Sequence, residues 1–199
     1  TGSTDLQAAY ERYAPLAESY VKAGYKVLFA TSHQTYGEGR IEYWPWPDMT
    51  DDKWKHLTER FSDMMHQIAM QWAGKGLVHA WQVWNEQDAP IGAAASVPML
   101  AHNYAHMLTK TLPAIRSADS DVYVITGGHT GGPGRGAQYA RATLSALTST
   151  LPPDGIAFHP YGRGTEPGPP YTIFGHIDES MREYGGIMPE RLVWITEWG

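Results

Sequence analysis

The stretch LVHAWQVWNE, residues 77–86, is the part of the sequence that says most about the fold. Its first eight residues are mainly apolar and aromatic, without the in–out alternation of a strand that has one face in water, and it ends on Asn85 and Glu86. Such a run is typical of a strand covered on both faces, as in parallel sheets. We therefore predict a buried parallel strand with polar side chains at its carboxyl end.

Four similar runs lie at residues 26–31, 122–126, 155–158 and 192–196. Segments of helical period alternate with them, at residues 5–23, from 51 to near 74, and at 98–117, 137–150 and 172–184. This alternation predicts an α/β protein with five parallel strands in a single domain, residues 1–199. The longest connections follow strands, as in (β/α)8 barrels, so we predict the TIM-barrel type; a doubly wound open sheet is the alternative.

The composition excludes several classes of protein. The chain has 15 basic and 21 acidic residues, for a formal charge of −6, and no cluster of Lys and Arg that would neutralise nucleic-acid phosphates. It has no cysteine, so disulfides, thiolate nucleophiles and Cys-ligated metals are excluded. No run reaches the ~18 consecutive apolar residues of a membrane span. We therefore expect neither a nucleic-acid nor a membrane partner.

Two glutamates come directly after apolar runs, Glu86 after the second strand and Glu197 after the fifth. A carboxyl group beside aromatic rings is partly desolvated, which raises its pKa and suits a general acid. A second carboxylate that stays ionised suits a nucleophile, and such a pair at ~5–5.5 Å performs retaining glycoside hydrolysis. From position alone, two surface glutamates at loop starts remain the alternative.

Three motifs at strand ends carry a resemblance to a known group of enzymes: Trp-Asn-Glu at 84–86, His-Pro-Tyr at 159–161 and Thr-Glu-Trp at 196–198. Together they resemble glycoside hydrolase clan A, whose members are retaining (β/α)8 enzymes, and the similarity is nearest to families 39 and 5. In that clan the Asn-Glu pair ends the fourth strand and the nucleophile ends the seventh. Glu197 likewise falls three strands after Glu86. The resemblance covers residues 25–199.

The resemblance assigns roles to the residues of these motifs. It implies that Glu86 is the acid/base and Glu197 the nucleophile, that Asn85 binds the sugar 2-hydroxyl, that Tyr161 donates to the nucleophile and that His159 lines the same rim. Two positions depart from the family pattern: the first strand ends in Thr-Ser-His without the Asp of family 5, and Gln87 stands where Pro is common. Further expected substrate contacts are Trp44, Trp46, Trp198, His33 and His129.

The leading hypothesis is a retaining glycoside hydrolase that acts on a polysaccharide or oligosaccharide without a metal or organic cofactor. Its localisation stays open, with a secreted or extracellular one favoured. A non-catalytic carbohydrate-binding protein with a glycosidase-like cleft is the first alternative. A nucleotide-dependent enzyme rests only on the weak G-x-G-x-x-A match at residues 132–137, which we interpret instead as a mobile rim loop. His102 and His106 have helical spacing but lack the Glu of H-E-x-x-H, so we predict no metal site there.

The strand count generates a prediction about assembly. If Glu86 and Glu197 end strands four and seven, strands one, two and eight are not among these residues, and five strands leave two open edges, which natural proteins avoid. We expect the chain to be a portion of a longer barrel, to self-associate or to bind a complementing segment. Sedimentation velocity checks this: a stable monomer of 199 residues contradicts it.

Overall fold

A computed structural model describes residues 5–33, 49–90, 96–161 and 177–198. Trp44 and Trp46, together with the first part of the helix predicted at 172–184, lie outside the described residues. No helix among the described residues is long and apolar enough to cross a membrane.

Helices and strands alternate through the residues that the structure describes. The helices are α1 Leu6–Lys22, α2 Asp51–Trp72, α3 Ala101–Ala118, α4 Ala137–Ala146 and α5 Ile177–Ile187. The strands are β1 Leu28–Thr31, β2 Ala80–Val83, β3 Tyr123–Thr126, β4 Gly155–Phe158 and β5 Leu192–Ile195. The five predicted strands are confirmed, each four residues long. The helix predicted at 98–117 begins at Ala101, and the one predicted at 137–150 ends at Ala146.

All five strands are parallel and lie in the order β1-β2-β3-β4-β5. A doubly wound sheet reverses its strand order at a switch point, whereas a barrel adds each strand beside the previous one. The sequential order therefore confirms the (β/α)-barrel type, as a partial barrel. Within the described residues, β1 and β5 each pair on one side only.

The main hydrophobic core is formed by residues of α1, α2 and α3 that pack with residues of β2 and β3. Trp54 and Phe61 of α2 pack edge-on against Trp84, with ring centroids 6.1 and 5.4 Å apart. The Trp84 indole is fully buried and donates to the backbone oxygen of Val97 at 3.0 Å. Thr50 caps α2, because its side chain accepts a hydrogen bond from the backbone amide of Lys53. The end of β2 is thus anchored to α2 by an aromatic cluster.

One tyrosine of α3 joins the ends of two neighbouring strands. The hydroxyl of Tyr104 donates to the backbone oxygen of Val83 at 2.7 Å and accepts from the amide of Gly127 at 2.6 Å. The side chain is fully buried, and burial raises the pKa of the Tyr104 phenol, so the hydroxyl keeps its proton. This contact sets the distance between the loops that follow β2 and β3.

Replacing Tyr104 by phenylalanine removes both of these buried hydrogen bonds without removing the ring. We expect the free energy of unfolding to fall by about 2–4 kcal/mol, because buried polar groups left without partners cost about 1–3 kcal/mol each. Urea unfolding measures the loss. The matched control is Tyr25→Phe, at a side chain that is 64% exposed, and an equal effect of the two variants would contradict this account.

Candidate active site

Three side chains meet at the carboxyl ends of the strands. Glu86 follows β2, His159 follows β4 and Glu197 follows β5. The Nδ1 atom of His159 lies 3.2 Å from Oε1 of Glu86 and 3.7 Å from Oε2 of Glu197, and all three atoms lie within 4.8 Å of one another. The structure therefore brings the two predicted carboxylates together, with the imidazole of His159 between them.

The backbone at the end of β2 turns sharply to deliver Glu86. Trp84 and Glu86 both have positive φ, 71° and 51°, which is uncommon for residues other than glycine. The buried indole of Trp84 holds one end of this turn, and the amide of Glu86 donates to the backbone oxygen of Gly128 at 3.1 Å. Such backbone angles persist only where the surrounding structure holds them, and they are found preferentially at functional sites.

Gly127 and Gly128 provide the space in which this turn fits. A Cβ atom at Gly128 would overlap the imidazole of His159, and one at Gly127 would overlap the side chain of Gln87. Gln87 is fully buried and donates to the backbone oxygen of Gly127 at 3.0 Å. The departure from the family pattern at this position therefore has a structural role, since Gln87 links the β2 and β3 loops.

A hydroxyl group contacts the outward-facing atom of each of the three side chains. Ser96 donates to Oε2 of Glu86, and Tyr161 donates to Oε1 of Glu197, which is the contact that the resemblance implied for Tyr161. The Nε2 atom of His159 lies 3.2 Å from the hydroxyl of Thr196. The inward-facing atoms of the three groups are thereby left facing one another.

The electrostatics of Glu86 differ from the sequence prediction. The hydrogen bond from His159 lowers the pKa of Glu86, and the Ser96 hydroxyl lowers it further, and together these outweigh the opposing effect of burial. The expectation of a raised pKa is therefore wrong for this arrangement. The expectation was based only on desolvation by the neighbouring aromatic rings. Hydrogen bonds that a carboxylate accepts stabilise its charged form, and these were not visible in the sequence.

The Tyr161 phenol shows the opposite shift. Burial and the adjacent carboxylate of Glu197 raise the pKa of Tyr161. The phenol therefore stays protonated at neutral pH and donates to Glu197.

The other predicted contacts are placed as follows. Asn85 is half-buried, and its Oδ1 accepts a hydrogen bond from the side-chain Nε2 of Gln82 at 3.0 Å. Trp198, next to Glu197, is 67% exposed. His33 is buried at the end of β1 with its ring 6.1 Å from that of Trp84, and burial lowers its pKa.

The prediction that His129 contacts substrate is wrong. Its side chain is 1% exposed, its Nδ1 lies 2.7 Å from the backbone oxygen of Ala157, and its ring packs between Tyr139 and Tyr184. The chain after β3 still pairs with Phe158 at this position, so the alternation of the strand continues and turns His129 towards the helices.

Asp88 is a buried residue that sequence reasoning missed. Its carboxylate accepts hydrogen bonds from the backbone amides of Thr130 and Gly131 at 2.9 and 2.8 Å. The guanidinium group of Arg135 donates to its backbone oxygen. Residues 132–136 form a π-helical turn that leads into α4, instead of the mobile rim loop that we expected. A Cβ atom at Gly131 would overlap the backbone of Gly136, so close packing accounts for glycine at position 131.

The histidine pair on α3 has an ordinary surface environment. His102 is exposed and lies 2.9 Å from the carboxylate of Asp51 at the start of α2, and His106 follows one turn later on the same helix.

Comparisons with solved structures identify similar folds. The catalytic domain of Thermobifida fusca endoglucanase Cel5A (E5) is 17% identical, with a TM-score of 0.55 over 98% of this chain and 53% of that one. Endo-glycoceramidase II from Rhodococcus sp. is 18% identical, with a TM-score of 0.60 over 94% and 52%. The fungal β-1,4-galactanases are 13% identical, with a TM-score of 0.64 over 92% and 55%.

At these identities the similarity shows the fold, a (β/α)-barrel, and the chain spans about half the length of the structures that it matches. No protein-family model matches the sequence, and no curated protein matches it.

Replacing Ser96 by alanine should raise the pKa of Glu86, because the lost hydrogen bond stabilised the carboxylate while the burial of the group remains. Titration of the glutamate carboxyl carbons by ¹³C NMR measures this, with the Glu86→Gln spectrum giving the assignment. Ser117→Ala, which removes an exposed hydroxyl on α3, is the control. An unchanged or lower pKa in Ser96→Ala would show that this hydroxyl does not act on Glu86.

Proposed function

We propose that the chain is a retaining glycoside hydrolase of the clan A type, nearest to families 39 and 5, which cleaves β-glycosidic bonds by double displacement. The observation that carries the proposal is the approach of the two carboxylates, whose facing oxygens lie within 4.8 Å. Retaining enzymes separate the two carboxyl groups by ~5–5.5 Å, whereas inverting enzymes need ~6.5–9.5 Å to admit a water molecule. The shorter distance favours a direct nucleophilic attack by one carboxylate.

Two observations support a carbohydrate as the substrate. The structures that share the fold are named as an endoglucanase, an endo-glycoceramidase and β-1,4-galactanases, which supports a polysaccharide or oligosaccharide as the substrate. The exposed indole of Trp198 beside Glu197 presents a flat apolar face on which a sugar ring can stack. The half-buried Asn85, next to Glu86 in the sequence, provides a polar group.

In the first displacement the protonated form of Glu86 gives its proton to the glycosidic oxygen while Oε2 of Glu197 attacks the anomeric carbon. The bond from that carbon to the leaving oxygen breaks, and a glycosyl ester on Glu197 forms. Tyr161 holds the Oε1 atom of Glu197, so the Oε2 atom is the one that faces Glu86 and the substrate.

In the second displacement Glu86, now a carboxylate, removes a proton from a water molecule that attacks the anomeric carbon. The ester bond breaks, and Glu197 returns to its charged form. The lowered pKa of Glu86 suits this basic half of the cycle, and the hydroxyl of Ser96 can donate to the carboxylate or accept from the protonated acid. Neither displacement requires a metal or an organic cofactor.

Isosteric variants of the two carboxylates test this assignment. We expect Glu86→Gln and Glu197→Gln each to lower kcat on an oligosaccharide by about 10³-fold or more, since each removes a group that acts in the transition state. On an aryl glycoside with a good leaving group, Glu86→Gln should retain faster release of the phenol than Glu197→Gln, because such a leaving group needs no proton. Glu183→Gln, a glutamate of α5 paired with Arg141, is the control and should keep full activity.

Two results would contradict the assignment. Turnover at the unmutated rate in either variant would remove that glutamate from the mechanism. Binding of oligosaccharide in calorimetry without any product over days would instead support the alternative of a carbohydrate-binding protein.

A further inference from the structure

The three central side chains have the donor set and the spacing of a metal site. Oε1 of Glu86, Nδ1 of His159 and Oε2 of Glu197 face a common point, with neighbouring atoms 3.2 and 3.7 Å apart and the whole set within 4.8 Å. Ligands on a tetrahedral ion with bonds of ~2.1 Å lie ~3.4 Å apart, and histidine with carboxylates is a common zinc ligand set. Small adjustments of side chains would therefore place all three atoms on one ion.

The hydroxyl groups around the three side chains correspond to the outer contacts of a metal site. Each hydroxyl contacts the atom that points away from the centre: Ser96 on Glu86, Tyr161 on Glu197 and Thr196 on His159. The ion would replace the hydrogen bond that Nδ1 of His159 donates to Glu86: with the proton on Nε2, where the Thr196 hydroxyl accepts a hydrogen bond, Nδ1 offers its lone pair to the ion. Outer partners of this kind fix the tautomer and orientation of metal ligands.

We propose that Glu86, His159 and Glu197 bind one divalent transition-metal ion of the zinc type, and that this ion reversibly inhibits the chain. The inhibition rests on the proposed function, because the ion would occupy the oxygen of Glu197 that attacks the sugar. The His159 side chain is 1% exposed whereas that of Glu197 is 50% exposed, so the ion reaches the site from the side of Glu197. The nitrogen ligand favours Zn²⁺ or Co²⁺ over Mg²⁺ and Ca²⁺, which prefer oxygen ligands alone.

Calorimetric titration with ZnCl₂ tests the binding, and the visible absorption of added Co²⁺ reports the geometry of the site. Both are measured in a His102→Gln/His106→Gln background, because two histidines one turn apart on α3 can bind zinc by themselves. We expect one Zn²⁺ per chain, and MgCl₂ at the same concentration should not displace it.

Variants locate the ion. Glu86→Gln, His159→Gln and Glu197→Gln should each weaken binding by more than ~10-fold, and Ser96→Ala and Tyr161→Phe should weaken it by about 10–100-fold through the lost outer contacts. Circular dichroism establishes that each variant is folded. If His159→Gln does not fold, Glu197→Gln at the half-exposed position gives the same test.

The outcomes separate this proposal from the proposed function. Zinc binding is measured without substrate, so it stands or falls whether or not the chain hydrolyses a glycoside. Binding that is equally tight in Glu197→Gln, or no binding at millimolar ZnCl₂, would overturn the proposal while leaving the glycosidase assignment intact. Hydrolysis that is accelerated by zinc would overturn its inhibitory role.

Discussion

The imidazole of His159 lies between two carboxylates, and the rest of the site is arranged around that contact. It requires glycine at position 128, because any side chain there would occupy the place of the ring. It requires β2, β4 and β5 to end at one edge of the sheet, which the parallel sequential order ensures. It also requires the turn with positive φ that delivers Glu86, which is held by the indole of Trp84 and by the hydrogen bond that the Glu86 amide donates to the backbone oxygen of Gly128.

Much of this arrangement could be predicted from the sequence, because the deciding features are local. Continuous apolar runs predicted the five strands, and the glutamates directly after two of them predicted which side chains meet at the rim. What the sequence could not predict depends on contacts between distant residues. The pKa of Glu86 is lowered by Ser96, ten residues away, and by His159, 73 residues away, whereas the sequence revealed only the neighbouring aromatic rings.

The same distinction between local features and contacts of distant residues accounts for Asp88, which the sequence analysis missed, and for His129, which it predicted at the rim. Nothing local to Asp88 indicates that its carboxylate binds the amides of Thr130 and Gly131, some 42 residues later. His129 was placed at the rim because it follows a strand, but one further backbone pairing beyond β3 turns it towards the helices. A position at a strand end therefore predicts a functional side chain only when the turn that follows is known.

The central claim is that two carboxylates at short distance act in succession on one anomeric carbon. The most direct test is ¹H NMR of the first product released from a β-linked oligosaccharide, recorded before mutarotation equilibrates the anomers. Double displacement predicts that the β-anomer appears first and the α-anomer follows. The α-anomer as the first product would show single displacement by water, and would contradict the short separation between Glu86 and Glu197 on which the account depends.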